Sequence, residues 1–218
     1  MKSVREAMLL YAITDRSWLR PGQPLTEPVE QVLSAGATCL QLREKELGDE
    51  DFLRLAWELK PLCAKYQVPL IINDNVAVAK AVDADGIHVG QEDMAIRQAR
   101  AILGPDKWIG TSVHNVAEAK AALAAGCDYF GSGAVFGSHT KPNVTTLSRQ
   151  GLTDICAATP LPVVAIGGVN ADNVLSLAGT GIDGVAVISA LFAQPDPAAA
   201  TRRMLALAKQ TVGEGRTL

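Results

Sequence analysis

The sequence predicts a (β/α)8 barrel, and three features carry the prediction. Short apolar runs alternate with helix-period segments along the chain. The runs are continuously apolar, as is typical of parallel strands buried on both faces. Eight such units fit within 218 residues, the size of one α/β barrel. A doubly wound open sheet is the alternative, but it favours an early glycine-rich turn, which this chain lacks.

The elements follow in order along one predicted domain, residues 1–218, with a frayed tail after about residue 212. The predicted strands are Leu9–Ile13, Thr38–Leu42, Leu70–Ile72, Gly86–Val89, Trp108–Thr111, Tyr129–Gly131, Val163–Ile166 and Gly184–Val187. The predicted helices include Asp49–Tyr66, Val116–Ala125, a short Ser189–Phe192 and a long one from Pro197. Glycines that would end helices are Gly36, Gly126 and Gly179. Residues that would cap helix starts are Asp93, Asn115 and Asn170.

Composition narrows the function. The chain is 48% hydrophobic and carries a net charge of −3, which argues against a nucleic-acid or membrane-surface binder. The four cysteines lie far apart without CxxC spacing, so they indicate buried thiols in a reducing compartment. No apolar stretch reaches the roughly 18 residues of a membrane span, and no signal peptide is evident. We therefore expect a cytoplasmic protein with small-molecule partners.

Unusual polar residues gather where the predicted strands end. In a barrel, the carboxyl ends of the strands form the reactive face. The segments there are Thr14–Asp15, Gln41–Lys45, Asn73–Asn75, His88–Asp93, Ser112–His114, Gly131–Lys141, Gly167–Gly168 and Ile188–Ser189. Little comparable lies at the amino ends. The pattern predicts a binding site at the carboxyl end.

Strand 2 ends in Gln41-Leu42-Arg43-Glu44-Lys45. Side chains alternate along a strand, so Gln41, Arg43 and Lys45 should share one face. Two cations and an amide at a buried strand end favour an anionic ligand, because an unpaired buried charge is costly. A structural salt bridge to nearby carboxylates is the alternative.

Asp74 and Asp93 follow neighbouring strands and could converge near the cations. Two carboxylates there suit Mg²⁺, which prefers oxygen ligands and often bridges to substrate phosphates. Alternatively, Asp93 only caps a helix, or the two acids form a general acid/base pair.

Gly167-Gly168 and Ser189 follow strands 7 and 8 and predict a phosphate site, because barrels often bind phosphate there. The loop after strand 6 carries Ser138, Thr140 and Lys141, which could close over a ligand. A plain tight turn and a surface loop are the respective alternatives.

The histidines fit no catalytic triad or metal set. His88 lies within an apolar strand and is expected to be a satisfied core residue instead of a base. His114 and His139 lie on the predicted active face, without an obvious acidic partner in the sequence.

Taken together, these segments resemble the thiamine-phosphate synthase family from about Leu10 to Phe192. One matching motif lies at each strand from strand 2 to strand 8. In order, they are QLREK, IINDN, DGIHVGQED, IGTSVHN, GSGAVFGSHTK, VVAIGGV and GVAVISALF. The resemblance implies that a pyrimidinylmethyl diphosphate loses pyrophosphate and that the nitrogen of a thiazole phosphate attacks its methylene carbon. It also implies Mg²⁺ as the cofactor.

The resemblance also implies roles for single residues. The diphosphate would be held by Arg43, Lys45, Asn73 and Lys141. Three of these, Arg43, Lys45 and Lys141, would also act as catalytic residues. Asp74 and Asp93 would hold Mg²⁺. Gln41 and Ser112 would contact the pyrimidine or its leaving group. Around the thiazole phosphate would lie Ser138, Thr140, Gly168, Ile188 and Ser189.

The chain departs from the family pattern in the loop after strand 6. The family usually has proline where this chain has Ala134, and threonine where it has Ser138. These differences concern the closure of the flap more than the chemistry.

Three competing hypotheses stay open. A thiazole tautomerase-like relative would dispense with the diphosphate and metal residues, which are all present here. A sugar-phosphate isomerase or lyase would need an acid/base pair or a Schiff-base lysine. A non-catalytic phosphate-binding barrel would bind ligand without Mg²⁺-dependent pyrophosphate release. A homo-oligomer is possible.

Overall fold

The computed structural model describes residues 3–90, 96–137 and 146–213. Eight parallel strands, β1 to β8, close into a barrel in chain order, so the predicted fold class is confirmed. The strands are Leu10–Ile13, Cys39–Leu42, Leu70–Asn73, Gly86–Val89, Trp108–Val113, Tyr129–Gly133, Val163–Ile166 and Gly184–Val187. Within the described ranges, no helix has both the length and the apolar character needed to cross a membrane.

Helices cover the outside of the barrel. In chain order, α1 to α9 are Val4–Ala7, Thr26–Ser34, Asp49–Tyr66, Val76–Ala81, Ile96–Leu103, Val116–Ala125, Arg149–Ala157, Ser189–Phe192 and Pro197–Val212. Short 3-10 helices occupy Arg16–Trp18 and Val174–Leu177. The bounds of α3, α6 and α8 match the predictions, and α9 begins at Pro197 as expected. Of the tail predicted to fray after about residue 212, residues 214–218 lie outside the described ranges.

Two predicted caps can be compared with the structure. Asn115 caps α6, because its side chain accepts a hydrogen bond from the backbone N–H of Glu118. The prediction for Asn170 is wrong. Only the 3-10 helix Val174–Leu177 lies between β7 and β8, and Asn173 precedes it. Asn170 instead closes a local turn, where its Oδ1 accepts from the N–H of Asp172 at 2.9 Å. Asp93 lies outside the described residues.

The strands separate two apolar clusters. In β1, Leu10 and Ala12 face the helices, whereas Tyr11 and Ile13 face the barrel interior. This alternation follows from the strand geometry, and both faces are buried because helices cover the outside. The interior cluster also contains Cys39, Ile71, Tyr129, Val164 and Ala186. The cluster also includes Ala7 and Met8, which precede β1, so it reaches the amino end of the barrel.

A repeated clamp ties the amino ends of the strands together in pairs. The residue preceding each even-numbered strand accepts a hydrogen bond from a backbone N–H at the start of the preceding odd-numbered strand. The four bonds are Leu10 N to Thr38 Oγ1 (2.8 Å), Leu70 N to Asp85 Oδ2 (2.8 Å), Ile109 N to Asp128 Oδ2 (2.7 Å) and Val163 N to Asp183 Oδ2 (2.9 Å). Each clamp satisfies a strand-end N–H that would otherwise lack a partner.

Each aspartate of these clamps also has a cationic partner. Asp183 pairs with Arg5, Asp128 pairs with Arg100 at 2.6 Å, and the Lys60 ammonium lies 3.6 Å from Asp85. The threonine clamp instead donates its hydroxyl to a backbone carbonyl of α1. The clamp aspartates at the amino end of the barrel therefore pair with cationic side chains of the protein itself.

Candidate active site

A cavity of about 240 Å³ opens at the carboxyl ends of the strands, where barrel enzymes place their sites. It is lined by residues from all eight strands or the loops that follow them. Every predicted site residue that the structure describes lines this cavity: Gln41, Arg43, Lys45, Asn73, Asp74, Ser112, Gly168, Ile188 and Ser189. The remaining predicted site residues, Asp93, Ser138, Thr140 and Lys141, lie outside the described ranges.

The end of β2 supplies the cavity with an amide and two cations. Gln41, Arg43 and Lys45 all line it, and the backbone N–H of Arg43 donates to Thr14 Oγ1 at 3.0 Å. The intervening Glu44 points elsewhere and pairs with Arg16 at 2.9 Å. Burial raises the pKa of Glu44, and the hydrogen bond from Arg16 partly opposes that effect. Because side chains alternate in direction along this short segment, the structural ion pair of Glu44 and Arg16 lies apart from the cavity cations Arg43 and Lys45.

Asp74 follows β3 in an unusual backbone conformation. Its φ is +62°, in the left-handed region that few residues other than glycine adopt, although aspartate tolerates it. Its backbone N–H donates to the carbonyl of His88 at 2.9 Å. Its carboxylate accepts hydrogen bonds from Lys45 and Asn73. This arrangement directs a hard oxygen donor into a cluster of cationic and amide groups.

Lys45 forms a salt bridge with Asp74. This is the alternative to ligand binding that the sequence left open for the cations after β2. Both partners nevertheless line the cavity, and the Lys45 side chain is half exposed. An exposed pair of this kind contributes little stability and can exchange partners when a ligand arrives. The pair is therefore compatible with anion binding.

The loop after β7 contributes Gly167 and Gly168, with φ of +95° and +67°. A Cβ atom on Gly167 would lie 2.5 Å from the Cβ of Ala134, and one on Gly168 would lie 2.8 Å from the carbonyl oxygen of Phe136. The sequence predicted that these glycines let a ligand approach closely. The structure gives a further reason, because the missing side chains make room for the backbone after β6.

The short helix α8 begins at Ser189 and ends at Phe192, as predicted. Leu191 and Phe192 are buried, which anchors the helix against the barrel. Ile188 and Ser189 face the cavity. The loops after strands 7 and 8 therefore border the same cavity as the β2 cations.

The structure agrees with the expectation for one histidine and corrects that for another. His88 is hydrogen-bonded, as expected of a satisfied residue, but it also lines the cavity. His114 does have an acidic partner: Glu118 Oε2 accepts from its backbone N–H at 2.7 Å and lies 3.0 Å from its Nδ1. Glu118 lies in the first turn of α6, four residues later, so the spacing could have signalled the pair. His139 lies outside the described residues.

Two buried tyrosines at the floor of the cavity were not predicted from the sequence. Tyr11 and Tyr129 face each other across the barrel, with their hydroxyl oxygens 2.9 Å apart. Tyr129 occupies space left by Gly110, where a Cβ atom would lie 2.0 Å from the ring. Burial raises the pKa of both phenols well above the ordinary value. An aromatic side chain at an inward position of a strand was the available signal.

Among the described residues, no group of three or more histidine, cysteine or acidic side chains is placed to hold a metal. Asp74 is the one predicted metal ligand within those residues. Its carboxylate at the cavity rim is the donor type that Mg²⁺ prefers. The described residues thus include one carboxylate of the donor type that Mg²⁺ prefers, and the expected second ligand, Asp93, lies outside the described ranges.

A closed parallel barrel with a polar cavity at the carboxyl ends of its strands defines the class of (β/α)8-barrel enzymes. The sequence profile of thiamine monophosphate synthase matches residues 10–191. The thiamine-phosphate synthase of Clostridium novyi is 46% identical over 196 residues, which cover 89% of this chain and 96% of that protein. The chain therefore belongs to the thiamine monophosphate synthase family, and it is a transferase of thiamine biosynthesis.

Solved structures agree with this assignment. The thiamine phosphate pyrophosphorylase from Pyrococcus furiosus superimposes with a TM-score of 0.89 at 37% identity, covering 97% of this chain and 100% of that one. The geranylgeranylglyceryl phosphate synthase from Thermoplasma acidophilum gives a TM-score of 0.71 at 15% identity, covering 96% and 99% of the two chains. The second similarity shows the barrel fold alone.

Proposed function

We propose that this enzyme joins 4-amino-2-methyl-5-hydroxymethylpyrimidine diphosphate to 4-methyl-5-(2-hydroxyethyl)thiazole phosphate. The products are thiamine phosphate and pyrophosphate. The observation that carries the proposal is the cluster of Arg43, Lys45, Asn73 and Asp74 around one cavity. Two cations, an amide and a carboxylate suit a diphosphate with its metal ion, and the resemblance implies the same roles.

The diphosphate would lie against the ends of β2 and β3. Arg43 can donate two parallel hydrogen bonds to phosphate oxygens, and Lys45 adds a mobile positive charge. Asn73 can donate through its amide, and Lys141 would approach from the loop after β6. When the diphosphate binds, we expect Lys45 to exchange part of its contact with Asp74 for a phosphate oxygen.

Asp74 and Asp93 would hold Mg²⁺. The ion supplies charge neutralisation for the phosphate oxygens when it is bound. Because Lys45 and Asn73 already hold the Asp74 carboxylate, a ligand oxygen is oriented before the ion arrives. Asp74 thus serves as both an ion-pair partner and a metal ligand.

The costly event in this reaction is the departure of pyrophosphate. The aminopyrimidine can stabilise positive charge at its methylene carbon, so negative charge builds on the diphosphate as the C–O bond breaks. Arg43, Lys45 and Lys141 would stabilise that charge where it develops. The thiazole nitrogen then forms the new C–N bond, and no nucleophilic side chain is required. This agrees with the lack of a catalytic triad in the sequence.

The thiazole phosphate would lie near Gly168, Ile188 and Ser189, with Ser138 and Thr140 contributed by the loop after β6. The described members of this set border the same cavity as Arg43. The two substrates can therefore meet within one cavity, which lets the enzyme orient the nitrogen towards the methylene carbon.

The test is to mix purified protein with both substrates, with and without Mg²⁺, and to measure pyrophosphate and thiamine phosphate. We expect equal amounts of the two products, formed only with the metal. Ligand binding without pyrophosphate release would contradict the proposal and favour a phosphate-binding barrel. Isomerisation of the thiazole without condensation would favour the tautomerase-like alternative. A cytoplasmic location and a homo-oligomeric state stay predictions.

A further inference from the structure

Five side chains form a hydrogen-bonded chain across the floor of the cavity. The Nε2 of Gln41 lies 2.8 Å from the Tyr11 hydroxyl, which lies 2.9 Å from the Tyr129 hydroxyl. The Tyr129 hydroxyl lies 3.3 Å from His88 Nδ1, and His88 Nε2 lies 3.2 Å from Ser112 Oγ. Four of the members, Tyr11, Gln41, His88 and Ser112, line the cavity. We call these five residues the floor chain.

The floor chain has one direction. Gln41 donates an amide hydrogen to the Tyr11 hydroxyl. A chain in which every hydroxyl hydrogen meets an acceptor then requires Tyr11 to donate to Tyr129. In that chain Tyr129 would donate its own hydrogen to Nδ1 of His88, which lies 3.3 Å away. A ring nitrogen that accepts carries no hydrogen, so His88 would then bear its hydrogen on Nε2 and donate it to Ser112. Reversing any one bond would require reversing the others.

The tyrosines that transmit this direction are held rigidly. Tyr11 and Tyr129 are fully buried, and their rings meet edge to face at 5.9 Å. Burial keeps both pKa values high, so both hydroxyls retain their hydrogens across the ordinary pH range. Gly110 lies against the Tyr129 ring, which fixes its position further.

The free end of the floor chain is the Gln41 amide, which lines the cavity. Gln41 uses Nε2 on Tyr11, which leaves Oε1 as the amide atom that a ligand could engage. Within the part of the chain that the structure describes, Oε1 accepts no hydrogen bond. A ligand atom that donates a hydrogen would satisfy it, whereas a ligand carbonyl would face it with like partial charge.

We propose that Tyr11 and Tyr129 are positioning residues that lock Gln41 Oε1 towards the substrate and lock His88 as the Nε2–H tautomer. The locked floor selects a pyrimidine with an amino group at C4 over one with a carbonyl there. This inference rests on the proposed function for the identity of the substrate. The locked tautomer itself does not depend on that identity.

The first test reads the tautomer directly. The chain has three histidines, so long-range ¹⁵N–¹H correlation spectra can assign each ring in the intact protein. We expect His88 in the Nε2–H form alone. An Nδ1–H form in the wild-type protein would overturn the proposal, because the floor chain would then run in reverse and present the Gln41 amide hydrogens to the cavity.

The second test uses Tyr129→Phe, which removes one hydroxyl and keeps the ring. We expect mixed His88 tautomers and an approximately tenfold fall in the preference for the 4-amino over the 4-oxo pyrimidine diphosphate, the scale of one hydrogen bond. Preference is measured as the ratio of kcat/KM values, or of Kd values by competition if turnover is absent. Tyr66→Phe is the matched control, because its hydroxyl contacts Glu30 on the outside of the barrel.

An unchanged preference in folded Tyr129→Phe would contradict the proposal, since a merely structural tyrosine would alter stability alone. Tyr11→Phe provides a second variant that interrupts the same chain if Tyr129→Phe does not fold. Failure of the proposed function is distinguishable, because the protein would then turn over neither pyrimidine while the wild-type spectrum still reports the His88 tautomer.

Discussion

The two ends of the barrel use the same charged residue types for opposite purposes. At the amino end, Asp85, Asp128 and Asp183 each accept a backbone N–H and pair with a cation. At the carboxyl end, Arg43 and Asp74 line a cavity. An aspartate that is engaged with the backbone supports the fold, whereas one that faces a cavity is available for ligands. The comparison teaches that the partner of a charge, not its residue type, separates stability from function.

The largest effect should come from removing a cavity cation. We expect Arg43→Ala or Lys141→Ala to lower turnover by roughly 100- to 1000-fold, the scale of losing one electrostatic donor in a transition state. The melting temperature should change little for Arg43→Ala, because its side chain faces the cavity. Steady-state pyrophosphate release and thermal unfolding measure the two quantities.

Arg54→Ala is the matched control for that experiment. Arg54 is a highly exposed residue of α3 that pairs with Asp51 at 2.8 Å, so neither turnover nor stability should change appreciably. Turnover by Arg43→Ala equal to that of Arg54→Ala would remove the catalytic role assigned to the cavity cations.

The opposite result is expected at the amino end. Asp183→Ala should lower the free energy of unfolding by about 3 kcal/mol, because it leaves the Val163 N–H and the Arg5 guanidinium without their partner. Activity per folded molecule should stay near the wild-type value. Urea unfolding combined with turnover at low denaturant checks both expectations.

Asp172→Ala serves as the control for the clamp. Asp172 also pairs with an arginine, Arg203 at 3.5 Å, but its side chain is 90% exposed. Its loss should cost less than about 0.5 kcal/mol. If both substitutions destabilise the protein equally, the clamps do not carry the stability assigned to this end.

Substitution of Gly110, which lies between the two ends of the barrel, should affect both stability and substrate discrimination. Gly110→Ala would place a Cβ atom 2.0 Å from the buried Tyr129 ring. We expect a loss of about 2 kcal/mol in unfolding free energy from overpacking, together with weaker substrate discrimination. Gly48→Ala is the control, because nothing lies within 4 Å of the added atom. Equal stability of the two variants in urea would show that the interior tolerates displacement of Tyr129.

The smallest effect concerns pH. Because burial raises the pKa of Tyr11 and Tyr129, both phenols ionise more readily in the unfolded chain. The contribution of the two tyrosines to the free energy of unfolding is fully present below about pH 10. It is lost as the pH rises further, at about 1.4 kcal/mol per pH unit for each tyrosine. Unfolding measured between pH 9 and 11 should therefore show a shallower alkaline decline in Tyr11→Phe than in the wild type. A parallel decline in both proteins would contradict this assignment.

Sequence periodicity predicted the barrel and most of its elements, because burial on both strand faces leaves a clear apolar signature. Strand ends were less accurate: β5 continues to Val113 and β6 to Gly133, since pairing with neighbouring strands extends them. The helix expected after Asn170 is a short 3-10 helix.

Site residues were predictable from the sequence where they directly follow the carboxyl ends of parallel strands. Arg43 and Asn73 reach one cavity because parallel strands end at one edge. The contact between Tyr11 and Tyr129 was not predictable in this way. It joins strands that are not neighbours, so it depends on barrel closure and on the space left by Gly110.

The central claim is that cationic residues at the carboxyl end catalyse pyrophosphate departure before the thiazole attacks. Positional isotope exchange tests it: pyrimidine diphosphate carrying ¹⁸O at the bridging C–O–P position is incubated with enzyme and Mg²⁺ in the absence of thiazole phosphate. Our account predicts that ¹⁸O moves to non-bridging positions in the wild-type enzyme and at least 100-fold more slowly in Arg43→Ala. Undiminished exchange in Arg43→Ala, or no exchange by a wild-type enzyme that turns over normally, would contradict it.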